Sequence, residues 1–209
     1  SGEVIRNSKN SYQTDRQFKQ IGAEILGGSP NSSLVEILYI TINALSIFHI
    51  KNITIDFSLP AISRLIDKKL DLNKKNNKIV KDALDNKDSS IITEKKFSYI
   101  SGLIALSGSV DKAKREFKKY TFPKTIGIIL SDFFKLANIL KKYFPDLSIT
   151  LDITEGKSFL EYNNFGFKIY NKDNAKSVAI GGDYISNNYE FGLGVTFLVN
   201  NIIGSVTIK

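Results

Sequence analysis

Cysteine is absent from this sequence, so disulfides, thiolate metal sites and a cysteine nucleophile are all excluded. Histidine occurs once, at His49, which excludes multi-histidine metal sites. A Ser-His-Asp triad would have to use His49. That residue sits in the apolar run Ile47-Phe48-His49-Ile50, where a helix end or a packing position is the expected role. No apolar stretch approaches the roughly 20 residues needed to cross a bilayer. The polar start carries no charged segment leading into an apolar one, so neither a membrane span nor a signal peptide is expected, and the expected location is cytoplasmic. Methionine is missing altogether, even at the first position, and the chain is expected to be a fragment or a processed form.

What is present is ordinary for a globular protein: 42% hydrophobic and 24% charged residues over 209 positions, enough for one large domain or a core with a smaller insertion. The net charge of +8 invites a nucleic-acid partner. The lysines, however, are spread along the whole chain, as at Lys68-Lys69, Lys95-Lys96, Lys118-Lys119 and Lys141-Lys142, among abundant asparagine and isoleucine. That is the composition of an AT-rich genome with solvated lysines on helix faces. With no arginine-rich cluster and no interleaved stacking aromatics, a nucleic-acid partner is not expected.

Gly2-Glu-Val-Ile-Arg6 and Arg16 to Gly27 read as two strands separated by a hydrophilic turn. Ser33-Leu-Val-Glu36 has the form of a capping box behind Pro30, and Leu34, Ile37, Leu38, Leu45 and Phe48 give a buried helix over about 31–48. Ile53, Ile55, Phe57 and Leu59 alternate as a strand, and Pro60 opens a second helix. The stretch 71–97 is strongly polar, and helices are expected at about 98–107, 111–120 and 130–143, the last with Leu130, Phe133, Phe134, Ala137 and Leu140 as its core stripe. After Pro145 the texture returns to strands: Leu147 to Ile153, Phe165 to Ile169, Ser177 to Ile180 and Phe191 to Thr196, then a short closing helix over Phe197 to Ile203. Strand-rich ends around a helical middle predict an α+β domain with an antiparallel sheet backed by helices. The expected organisation is a single domain over 1–209 with a helical polar insertion at about 71–120.

The opening strands resemble motif 2 of class II aminoacyl-tRNA synthetases, closest to the histidyl branch: Arg6 ends the first, and Gln20 and Glu24 stand among apolar residues in the second. Lys157-Ser-Phe-Leu-Glu161-Tyr162 is similar to the histidine-binding loop of that branch. Val178-Ala-Ile-Gly181-Gly182-Asp183-Tyr184 is similar to its Gly-Gly-Arg-Tyr-Asp signature, and Gly192-Leu-Gly194-Val-Thr-Phe-Leu is similar to motif 3. The resemblance implies the class II synthetase-like antiparallel sheet flanked by helices, in a chain lacking motif 1. It also implies a histidine pocket that uses Gln20, Glu24, Tyr162 and Arg6, with Gly181 and Gly182 as backbone. Each residue has a plainer alternative: a salt bridge or exposed strand position for Glu24, a sheet-face polar for Gln20, an ion pair for Arg6, and a tight turn for Gly181-Gly182.

The departures from the pattern point away from catalysis. Adenylation needs fixed positive charge at the triphosphate. Here Ser8 stands at the place of the motif 2 glutamate, no arginine follows Arg115, Asn200 or Asn201 occupies the motif 3 arginine position, and Lys157 and Ser158 lie where the carboxylate-binding arginine would be. Asp183 reverses the charge of the signature arginine. A kept fold with lost arginines resembles the regulatory subunits of ATP phosphoribosyltransferase, a non-catalytic branch of the synthetase fold. That resemblance implies assembly with a short-form catalytic subunit at the first step of histidine biosynthesis, a homodimer in the full-length protein, histidine as an effector, and no cofactor or metal. A divergent histidyl-tRNA synthetase is the alternative, with Lys157 substituting for a missing cation.

Overall fold

The computed structural model describes residues 1–5, 17–70, 74–159, 161–187 and 190–205. Along the chain the strands are β1 (Gly2–Ile5), β2 (Gln17–Leu26), β3 (Ile53–Ser58), β4 (Gly108–Ser109), β5 (Ser148–Leu151), β6 (Gly166–Asn171), β7 (Lys176–Ile185) and β8 (Phe191–Phe197). The helices are α1 (Pro30–Ile47), α2 (Pro60–Leu70), α3 (Lys74–Asp85), α4 (Ser98–Ala105), α5 (Val110–Phe117), α6 (Lys124–Tyr143) and α7 (Val199–Ile203), with 3-10 turns at Lys95–Phe97 and Thr154–Phe159. Two compact units divide these elements: Ser1–Ile55 with Phe167–Lys209, and Asp56–Gly166. The polar stretch read as an insertion lies within the second.

In the first unit the strand order is β1-β2-β8-β7-β6, with the opening half of β3 beside β6. The pairings β1–β2, β2–β8 and β7–β8 are antiparallel. α1 packs on β8 and β2, so its face of Leu34, Ile37, Leu38, Thr41 and Leu45 is buried together with Leu193 and Val195 of β8. The Thr41 hydroxyl avoids an unsatisfied burial by donating to the Ile37 carbonyl at 2.7 Å.

The ends of α1 correct two expectations. Ser29, not Ser33, is the N-cap; its hydroxyl accepts from the Ser32 N–H, Pro30 takes the first helical turn, and Ser33 is buried inside the helix. At the other end Phe48 is the C-cap and is 48% exposed, so the buried stripe stops at Leu45. The chain then closes in a Schellman arrangement, with the Ile50 N–H donating to the Leu45 carbonyl at 3.1 Å and the His49 N–H to the Ser46 carbonyl at 3.0 Å. His49 takes the left-handed position at φ 61°, where glycine is the usual occupant. The single histidine is thus an exposed helix-end residue.

In the second unit the closing half of β3 lies beside β5, which pairs antiparallel with β4. β4 has only two residues, too short for any alternation to announce it. Its Ser109 also caps α5 by accepting from the Lys112 N–H. α6 begins at Lys124, earlier than the stripe from Leu130 suggests, because Ile126 extends the buried face back toward Pro123. Phenylalanines build much of this core: Phe57 meets Phe133 and Phe165 edge-on at 5.6 and 6.0 Å, and Phe117 meets Phe134 at 5.4 Å.

Just past β5, Asp152 organises a polar junction. Its carboxylate receives the Lys87 ammonium at 2.6 Å and both the N–H and the hydroxyl of Thr154, at 3.0 and 2.6 Å. Burial pushes the Asp152 carboxyl up, but the bonds from Lys87 and Thr154 and the ammonium charge outweigh burial and hold it below the usual carboxylate value. The same hydrogen bond raises Lys87. Among the described residues no helix is long and apolar enough to cross a membrane.

Two measurements check this local chemistry. His49→Gly relieves the left-handed strain, and urea denaturation should show a gain of about 1 kcal/mol. Asp152 contributes stability above its ordinary pKa of 3.8 and loses that contribution as pH falls through its lowered native value. Asp152→Asn should therefore flatten the acid-side fall in the urea midpoint; an unchanged slope would remove Asp152 as its source.

Candidate functional site

Strand register decides which side chains share a face. Glu24 of β2 stands opposite Gly194 of β8, and Gly194 stands opposite Gly182 of β7. On the same face, the row of Gly22, Thr196 and Ile180 lies on one side of it and the row of Leu26, Gly192 and Tyr184 on the other. Opposed residues in antiparallel strands project to one side, so Gln20, Glu24, Gly182, Tyr184 and Thr196 belong to one face of the sheet. The opposite face carries Leu193 and Val195, which are buried.

At the β1–β2–β8 end of this face lies an open cleft of about 390 Å³, lined by Gly2, Val4, Gln20, Gly22, Glu24 and Thr196 among others. The Gln20 amide donates to the Thr196 hydroxyl at 3.3 Å, and the Tyr184 phenol donates to the Glu24 carboxylate at 3.3 Å. Burial raises the Tyr184 phenol, and the Glu24 charge and hydrogen bond raise it further. Glycines let these side chains lie flat. A Cβ at Gly192 would sit 2.5 Å from the Tyr184 ring, and one at Gly194 would sit 3.2 Å from the Glu24 side chain.

The structure brings Gln20, Glu24 and Gly182 onto this face. Gly181 projects to the other side, where an added Cβ would meet the Phe167 ring at 2.6 Å. It is therefore a packing requirement beneath the sheet. Asp183, where the synthetase signature carries arginine, alternates to that same opposite side and is 0% exposed. Asn201 donates to the Ser177 carbonyl at 2.7 Å, tying α7 to β7. Arg6, Ser8 and the side chains of Lys157 and Ser158 lie outside the described residues. Tyr162 belongs to the second unit, where its ring packs 5.8 Å from that of Phe159.

Sequence reasoning missed Thr196 and Tyr184 as members of this face. Both lie inside the quoted signatures, and counting the alternation outward from the paired glycines would have found them. Among the described residues the cleft is lined by one carboxylate side chain and by no cationic side chain. Ionised Glu24 only accepts hydrogen bonds, so the cleft suits N–H donors or a cationic group. A triphosphate requires the reverse.

The family model described as Histidyl-tRNA synthetase matches residues 1–198. Curated relatives include the ATP phosphoribosyltransferase regulatory subunits of Paramagnetospirillum magneticum and Rhodospirillum centenum. Each is 22% identical over 99% of this chain, covering 55% and 54% of its own length. The chain thus spans about half the length of the curated relatives it matches. Among solved structures it resembles an ATP phosphoribosyltransferase regulatory subunit/histidyl-tRNA synthetase from Bacillus halodurans, with TM-score 0.77, 16% identity, and coverage of 99% of this chain and 57% of that one. It also resembles the ATP phosphoribosyl transferase HisG:HisZ complex from Thermotoga maritima (TM-score 0.67, 22% identity, 94% of this chain and 70% of that one). A third likeness is to histidyl-tRNA synthetase from Nostoc (TM-score 0.69, 13% identity, 97% and 52%). The expected α+β, class II synthetase-like fold is the fold observed.

The glycine floor is testable. Gly192→Val should displace the Tyr184 ring and cost about 1–3 kcal/mol, read by chemical denaturation and by near-ultraviolet circular dichroism.

Proposed function

The chain belongs to the histidyl-tRNA synthetase family, and on that premise we propose that it is a non-catalytic regulatory member. It assembles with a short-form ATP phosphoribosyltransferase catalytic subunit and activates it at the first step of histidine biosynthesis. The observation that carries this reading is the cleft face itself. Gln20 and Glu24, which by resemblance would contact the amine and imidazole of histidine, both line the cleft, no described cationic side chain does, and the position where the signature carries arginine is a buried aspartate. The names of the curated relatives support it.

In this reading histidine is the effector and sits against Gln20 and Glu24, with Tyr162 and Arg6 as further contacts by resemblance. The full-length protein forms a homodimer in the cytoplasm. An effector shifts activity only through unequal affinity for the active and inactive assemblies. The alternative, a divergent synthetase, is favoured by the description of the family model that matches.

Three assays on the full-length protein decide between them. It should co-purify with its cognate catalytic subunit and raise that subunit's turnover; failure of both sinks the regulatory reading. Histidine-dependent ATP–pyrophosphate exchange should be absent, and clear exchange would establish the synthetase instead. Calorimetry with histidine should show at least tenfold weaker binding for Glu24→Ala, on the order of one charge-assisted hydrogen bond. Equal binding would remove Glu24 from the site.

A further inference from the structure

The second unit holds its Tyr162 turn in an unusual way. Arg64, half-buried on α2, points its guanidinium at backbone: Nη1 donates to the Tyr162 carbonyl at 2.9 Å, and Nη2 donates to the Asn163 carbonyl. Its acidic neighbour one turn along, Asp67, is paired with Lys81 at 3.8 Å instead. We propose that Arg64 is the positioning residue for Tyr162, fixing from α2 the turn on which that side chain is presented. The inference rests on the reading of Tyr162 as a ligand contact.

Backbone bonds and ring packing both hold the turn. The Tyr162 N–H donates to the Phe159 carbonyl at 2.9 Å, so the N–H of this residue is held by the chain and its carbonyl by Arg64. The Tyr162 ring lies against Phe159, and both cover Gly166, where a Cβ would stand 2.3 Å from Phe159 and 2.9 Å from Tyr162. Two carbonyls held by one side chain call for a planar fork with several N–H donors, which guanidinium has and an ammonium lacks. α2 also packs on the 3-10 helix Thr154–Phe159 that leads into the turn. The start of that helix is held by Asp152, itself bonded to Lys87 just after α3. Cations from the helical segment therefore grip the Tyr162 region at both ends: Lys87 through Asp152, and Arg64 directly.

Calorimetry with L-histidine on the full-length protein tests this. Arg64→Ala should weaken histidine about tenfold, the loss expected for charge-assisted bonds, and Arg64→Lys should fall between it and the intact protein. Millimolar guanidinium chloride should restore affinity to Arg64→Ala but not to Glu24→Ala, a rescue that a loss of general stability would not show. Histidine binding by Arg64→Ala or Arg64→Lys equal to the intact protein would overturn the positioning role alone. Failure of the intact protein to bind histidine would overturn it together with the ligand role of Tyr162. Unchanged activation of the catalytic subunit in that case would leave the regulatory reading standing.

Discussion

The antiparallel register of β2, β8 and β7 is the constraint on which the candidate site depends. With a side-chain period of two, a slip of one residue in β2 would exchange Glu24 for Ala23 or Ile25 on the cleft face, and one in β8 would bring Leu193 and Val195 out of the core. α1 prevents that slip, because its apolar stripe has only one face of β8 against which to bury. Core packing on one side of the sheet therefore sets which polar groups appear on the other. The site inherits its geometry from hydrophobic burial.

Among the described residues, Glu24 is the one charged side chain in the cleft lining. A triphosphate site needs donors and cations fixed in place before charge develops. Here the described lining offers a carboxylate, an amide and a hydroxyl over backbone left bare by glycine. Asp183 illustrates how the sheet handles the reversed charge of its signature position. Alternation carries it under the sheet, where it is wholly buried, and away from the face shared by Gly182 and Tyr184.

The second unit works by a different logic. Its phenylalanine core fixes the helices, and its polar junctions fix the irregular chain between them. Asp152 gathers Lys87 and Thr154, and Arg64 gathers two carbonyls, in places where no strand ladder can satisfy the backbone. Irregular segments held by a few strong bonds respond to small displacements of whatever supplies those bonds.

The sequence by itself determined the strongly periodic elements and the lineage. The alternation of Ile53 to Leu59, the stripe of α6, and the spaced Gly-Gly and Gly-Leu-Gly segments are local patterns, readable because periods of two and 3.6 residues leave their mark in composition. Gln20 and Glu24 stood out as polar residues in an apolar strand, and the structure places both on the cleft face. Tertiary structure alone decided the rest. Ser29 displaced Ser33 as the cap because Ser33 falls on the face that α1 buries. Thr196 and Tyr184 joined Glu24, and Gly181 parted from Gly182, because cross-strand register lies between segments distant in sequence and leaves no trace in any one of them. Arg64 carried no motif at all: its partners are backbone carbonyls, which every residue has, and only folding shows which ones a guanidinium will reach.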